Sequence, residues 1–66
     1  MPEVIIYAVE GRSFEQKKAL VKDITAAVVK NFAVEEDAVT IQIVEAKKTD
    51  KAKGGVMFSE RLPGKK

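Results

Sequence analysis

Apolar residues recur along this chain with two different periods, and each period marks a different kind of element. Residues 3 to 9 carry two interleaved rows, Val4-Ile6-Ala8 and Ile5-Tyr7-Val9, both apolar and rich in β-branched and aromatic types. A short run that is apolar on both rows predicts a strand covered on both faces. From Phe14 to about Asn31 the spacing changes to three and four residues: Leu20, Val21, Ile24, Ala27, Val28 and Phe32 share one side, with Lys18, Lys22, Asp23 and Lys30 on the other. That pattern predicts an amphipathic helix. Its start is marked by Ser13 followed three positions later by Gln16, the form of a reciprocal capping box. Beyond the acidic connection Val34-Glu35-Glu36-Asp37, residues from about 39 to 45 alternate strictly. Val39, Ile41 and Ile43 point one way; Thr40, Gln42 and Val44 point the other. This is a second strand, half polar where the first is not.

Strand, helix, strand is a β-α-β unit, so the two strands should be parallel with a right-handed crossover, in a single α+β domain covering residues 1–66. The stretch from Ala46 to Gly55 is lysine-rich and ends in two glycines, which reads as a loop. Residues from about 56 to 59 form a short apolar segment able to pair as an edge strand or hairpin, and Leu62 to Lys66 read as a frayed end. One helix on two strands leaves a sheet face and both sheet edges uncovered, so neighbouring copies must cover them.

Length strengthens that expectation. A chain of 66 residues buries only about 60% of the surface exposed by its unfolded form. Disulfides and metals are the usual supplements at this size, yet the sequence has neither cysteine nor histidine. A homo-oligomer is the remaining route. The lack of cysteine also fits a reducing compartment. No apolar run approaches the roughly 18 residues of a membrane helix, and the start lacks the basic-then-apolar order of a signal peptide. The expected location is therefore the cytoplasm.

Net charge is +2, unevenly spread. Residues 1 to 46 hold five basic against eight acidic side chains, or −3, and residues 47 to 66 hold seven against two, or +5. A basic C-terminal third can attract an anionic ligand, although most such segments are simply solvated surface. With one Tyr, three Phe and no Trp there is no aromatic array for stacking nucleic acid, and Gly54-Gly55 lacks the spacing of a phosphate loop. No carboxylate spacing suggests a metal, and no cofactor is expected.

Two residues of the first segment remain as candidates for chemistry. If Met1 is removed, Pro2 presents a secondary amine at the end of an apolar strand. Free α-amino groups titrate near about 8, and apolar surroundings lower that value by disfavouring the ammonium. Such an amine could take a proton from carbon next to a carbonyl and return it elsewhere. Arg12 follows the strand and precedes the helix cap, where its guanidinium and the backbone donors of the helix N-terminus favour an anion. Tyr7, mid-strand among Ile and Val, reads as core or interface.

Pro2, an apolar strand, Glu10-Gly11-Arg12-Ser13, then Glu15-Gln16-Lys17 opening a helix, resembles the 4-oxalocrotonate tautomerase family of the tautomerase superfamily. The likeness extends to the β-α-β order, Glu45 at the end of the second strand and Gly54-Gly55 downstream. It implies a protomer whose dimer completes a four-stranded sheet, commonly in a hexamer. It implies enol–keto tautomerisation of a small unsaturated or α-keto carboxylate, with Pro2 as general base and Arg12 binding the substrate carboxylate, often in a neighbouring subunit's site. The family's second arginine corresponds to Thr40 and its loop phenylalanine to Lys51. The resemblance thus leaves Thr40, Lys51, Lys53 and Phe58 as candidates to supply the missing hydrogen bond, charge and apolar wall. Alternatives within the same fold are a non-catalytic binding module and a proline-dependent dehalogenase or hydratase.

Overall fold

A computed structural model describes residues 2–61 of the chain. Strand β1, Glu3–Val9, and helix α1, Phe14–Phe32, are followed by a 3₁₀ turn at Glu36–Ala38 and strand β2, Thr40–Ala46. A second 3₁₀ turn, Lys48–Asp50, leads into a hairpin of β3, Ala52–Lys53, and β4, Val56–Met57, and a last 3₁₀ turn covers Phe58–Glu60. Strands β1 and β2 pair in parallel, in register from Glu3 with Thr40 to Val9 with Ala46.

Local chemistry sets the element ends. Ser13 has extended backbone angles; its hydroxyl accepts from the Gln16 amide at 3.1 Å, and the Gln16 side-chain oxygen accepts from the Ser13 amide at 2.9 Å. Both partners of the capping box are therefore satisfied. At the other end Ala33 adopts the left-handed conformation, φ 57° and ψ 47°, and its amide donates to the Val29 carbonyl at 3.0 Å. Strand β2 begins at Thr40 rather than Val39 because the Val39 amide is engaged by the Glu36 carbonyl at 3.1 Å, closing the preceding turn.

One stripe of α1 lies on the sheet. Lys17, Val21, Ile24, Thr25, Val28 and Val29 are half-buried, as are Val4, Ile6, Ala8, Ile41 and Ile43 of the strands. The sequence pattern placed Leu20 and Phe32 in that stripe, but they are 43% and 66% exposed. The cause is dimensional. Nineteen helical residues extend about 28 Å, whereas seven-residue strands extend about 20 Å, so the helix overhangs a sheet two strands wide. The opposite sheet face is open: Ile5, Tyr7 and Val44 are 48%, 73% and 37% exposed. Hence β1 is covered on one face only within a protomer.

None of the described residues is buried. The radius of gyration is 15.1 Å and the longest dimension 43 Å, against about 11 Å for a compact domain of this length. The segment after β2 is hereafter the arm. Its turn, Gly54-Gly55, has φ +61° and +83°, the two positive values that a tight two-residue hairpin requires. Phe58 and Ser59 lie in the 3₁₀ turn rather than in a strand. The expected frayed end, Leu62 to Lys66, lies outside the described residues, as does Met1. No helix among the described residues is long and apolar enough to cross a membrane.

Candidate active site

Parallel pairing divides the candidate residues between two ends of the sheet. At the N-terminal end, half-buried Pro2 accepts a hydrogen bond through its carbonyl from the Thr40 amide at 3.0 Å. Pro2 and Thr40 are thus neighbours, and the bond uses main-chain atoms only, leaving the exposed Thr40 hydroxyl available.

Arg12 stands at the C-terminal end. The Glu10 amide donates to the Ala46 carbonyl at 2.9 Å, extending the parallel ladder by one step, and Gly11 then turns the chain with φ +126°. Arg12 is exposed and, with Gln16, Lys17 and Leu20, lines a shallow cleft. Beside it Lys17 reaches from the first turns of α1 to Glu45 at the end of β2, Nζ to Oε1 at 3.1 Å, with each side chain 30% exposed. Among the described residues Arg12 has no ion-pair partner, so its guanidinium is open to an external anion.

Between these two ends runs the whole of β1, seven residues at about 3.3 Å per step, a span of about 20 Å. An arginine side chain cannot bridge that distance back along the strand. Within one protomer Pro2 and Arg12 therefore belong to different sites.

The arm holds the other candidates, and it leaves β2 at the Arg12 end. The Phe58 amide donates to the Lys51 carbonyl at 2.7 Å, bringing half-buried Lys51 and Phe58 to the base of the hairpin, while Lys53 pairs with Val56 near its tip. Two further groups organise the arm, and neither was singled out by sequence. The Glu10 carboxylate accepts from the Lys48 amide at 3.2 Å, tying the root of the arm to the turn that carries Arg12. Arg61 donates from Nη1 to the Lys53 carbonyl at 3.3 Å, with its guanidinium 6.0 Å from the centre of the Phe58 ring. These pairs are 38 and 8 residues apart, separations that carry no periodic signal. For Arg61 the nearest hint was its place in the basic C-terminal third.

Comparison with known proteins gives this geometry a context. The family profile described as tautomerase enzyme matches residues 2–61. A protein of Bradyrhizobium diazoefficiens named as a probable tautomerase is 50% identical over 66 residues, covering 100% of this chain and 98% of its own. Among solved structures, a homologue of 4-oxalocrotonate tautomerase superposes with a TM-score of 0.83 at 33% identity, covering 92% of this chain and 100% of its own. A chain of a heterohexameric 4-oxalocrotonate tautomerase from Chloroflexus aurantiacus also gives 0.83, at 35% identity and with 91% and 97% covered.

Proposed function

This chain belongs to the tautomerase family and is an enzyme of tautomerase type, and from that premise we propose that it catalyses enol–keto tautomerisation of a small unsaturated or α-keto carboxylate at a site shared between copies. What supports the reading is that the family match begins on Pro2, while the arginine able to hold a carboxylate lies at the far end of the same strand. A site containing both needs Arg12 from another copy.

In the proposed reaction Pro2 carries a free secondary amine once Met1 is removed. Its nitrogen accepts the proton of the enol hydroxyl; the O–H electron pair becomes the second bond of the carbonyl, and the displaced π pair moves onto carbon. That carbon takes the same proton back from the prolinium, so the amine is regenerated. Arg12 of another copy pairs with the substrate carboxylate through charge-assisted hydrogen bonds. The Thr40 hydroxyl, beside Pro2, donates to the carbonyl oxygen as negative charge develops there. Lys51 and Lys53 supply positive charge in place of a second arginine, and Phe58 an apolar wall that favours the neutral amine. All of these groups come from a homo-oligomer of dimers, a hexamer in our reading, acting in the cytoplasm without a cofactor.

The test is ketonisation of phenylenolpyruvate or 2-hydroxymuconate, followed by absorbance, with the processed protein and with Pro2→Ala. Loss of turnover in the variant is expected, and equal rates would remove Pro2 from the mechanism. Intact mass establishes beforehand that Met1 is absent.

A further inference from the structure

Two carboxylates stand at the sheet end that carries Arg12, and each is already engaged. Glu10, two positions before Arg12, accepts from the Lys48 amide at 3.2 Å. Glu45 is the one acidic side chain of β2. It is in register with Ala8 and continues the row of Ile41 and Ile43 on the face that α1 covers. Lys17 comes down from the helix to meet it, Nζ to Oε1 at 3.1 Å. Glu15, in the first turn of α1, is exposed and does not line the Arg12 cleft.

As a staple, the Lys17–Glu45 pair does little. Both side chains are 30% exposed, and ion pairs so open to water contribute little to stability. Its position matters more. Lys17 lines the cleft together with Arg12, Gln16 and Leu20, while its ammonium occupies the carboxylate that rises from the sheet beneath. A guanidinium is the better partner for a carboxylate, because its planar fork donates two hydrogen bonds at once. Yet among the described residues Arg12 has no ion-pair partner. Lys17 has taken the anion that Arg12 would otherwise hold.

We propose that Lys17 is a positioning residue of the anion site: by holding the Glu45 carboxylate, it keeps the Arg12 guanidinium free for the carboxylate of the substrate. The proposal rests on the reading of Arg12 as the carboxylate binder, and it adds what leaves that residue unoccupied. It also gives the two ends of one ion pair opposite effects. Loss of Lys17 releases a competitor for Arg12, whereas loss of Glu45 removes that competitor.

The probe is benzoylformate, an α-keto carboxylate with no enolisable hydrogen. Its binding to the processed protein is measured by isothermal titration, and Arg12→Ala, which should weaken it about tenfold or more, fixes the site. Lys17→Met keeps the aliphatic stem and so the packing of the helix; Lys17→Gln takes its place if that variant fails to fold. Its Kd should rise about two- to sixfold, the effect of an exposed ion pair of ordinary strength competing for the guanidinium. Glu45→Gln should bind at least as tightly as wild type, Lys17→Met/Glu45→Gln should return close to it, and Lys17→Arg should match it. In isotope-labelled protein without ligand, the Arg12 Nε–H resonance should move in Lys17→Met and return in the double variant, whereas a charge acting only at a distance leaves it in place. Equal weakening by the two single variants, a double variant no better than Lys17→Met, or an unmoved Arg12 resonance would each overturn the proposal. So would benzoylformate that binds regardless of Arg12→Ala, or does not bind at all. None of these readouts uses turnover, so a chain that binds in this pattern without ketonising enols keeps the role of Lys17 and loses only the Pro2 mechanism.

Discussion

Separation of Pro2 from Arg12 by the length of β1 leads to a complementation test. A Pro2→Ala subunit lacks the proton acceptor but retains its arginine, and an Arg12→Ala subunit has the reverse defect. Removing a charge-assisted carboxylate contact costs about 1.5–3 kcal/mol, a loss of roughly 10- to 150-fold in kcat/KM; losing the base should be at least as severe. When the two variants are co-expressed with different tags and purified as mixed oligomers, each site draws its proline from one subunit and its arginine from another. With random assembly at equal dose, about a quarter of the sites combine both intact residues. Activity should then rise to about that fraction of wild type, well above the average of the two variants assayed apart. The assay is initial-rate ketonisation at matched protein concentration. A mixed oligomer no more active than that average would refute the shared site.

The other expectations concern single elements. Ser13→Ala removes one half of a fully formed capping box and should lower stability by about 1 kcal/mol, seen as a shift of the urea midpoint at constant slope. Ala33→Gly relieves a left-handed residue that carries a Cβ and should raise the midpoint, by at most about 1 kcal/mol after the extra flexibility of the unfolded chain is counted. Gly11→Ala meets no atom within 4 Å but must hold φ +126°, so a cost of about 1–3 kcal/mol from backbone strain alone should appear in the same titration. Thr40→Ala leaves the main-chain bond to Pro2 in place; circular dichroism should be unchanged, and any fall in kcat then reports the hydroxyl.

Elements with a period were legible in the sequence, because side chains two or three to four residues apart share a face whatever the tertiary context. Both strands, the helix, the capping box and their parallel order follow from such local rules. Where the protomer departs from the pattern, the reason is one of dimension. Leu20 and Phe32 matched the helical spacing, yet the sheet beneath is too narrow and too short to cover them. The arm was harder to read because strands of two residues have no period, and its fastenings, Glu10 to Lys48 and Arg61 to Lys53, involve residues distant in sequence. At the candidate site, residue types suggested Pro2 and Arg12, and the strand expected between them together with the resemblance already assigned the arginine to a neighbouring subunit's site. Their separation comes from the strand between them, since ten positions in an extended chain exceed any side chain's reach.

A protomer in which no described residue is buried has another consequence, one of mass action. In the assembly proposed above, such a chain would gain the stability of a folded protein on association, so folding and assembly should form a single transition whose midpoint rises with protein concentration. Each tenfold dilution of a dimeric unit would remove about 1.4 kcal/mol, and freshly made chains below the association threshold should remain substrates for proteases. The amount of active enzyme in a cell would then climb more steeply than its rate of synthesis, making subunit number itself a control on activity.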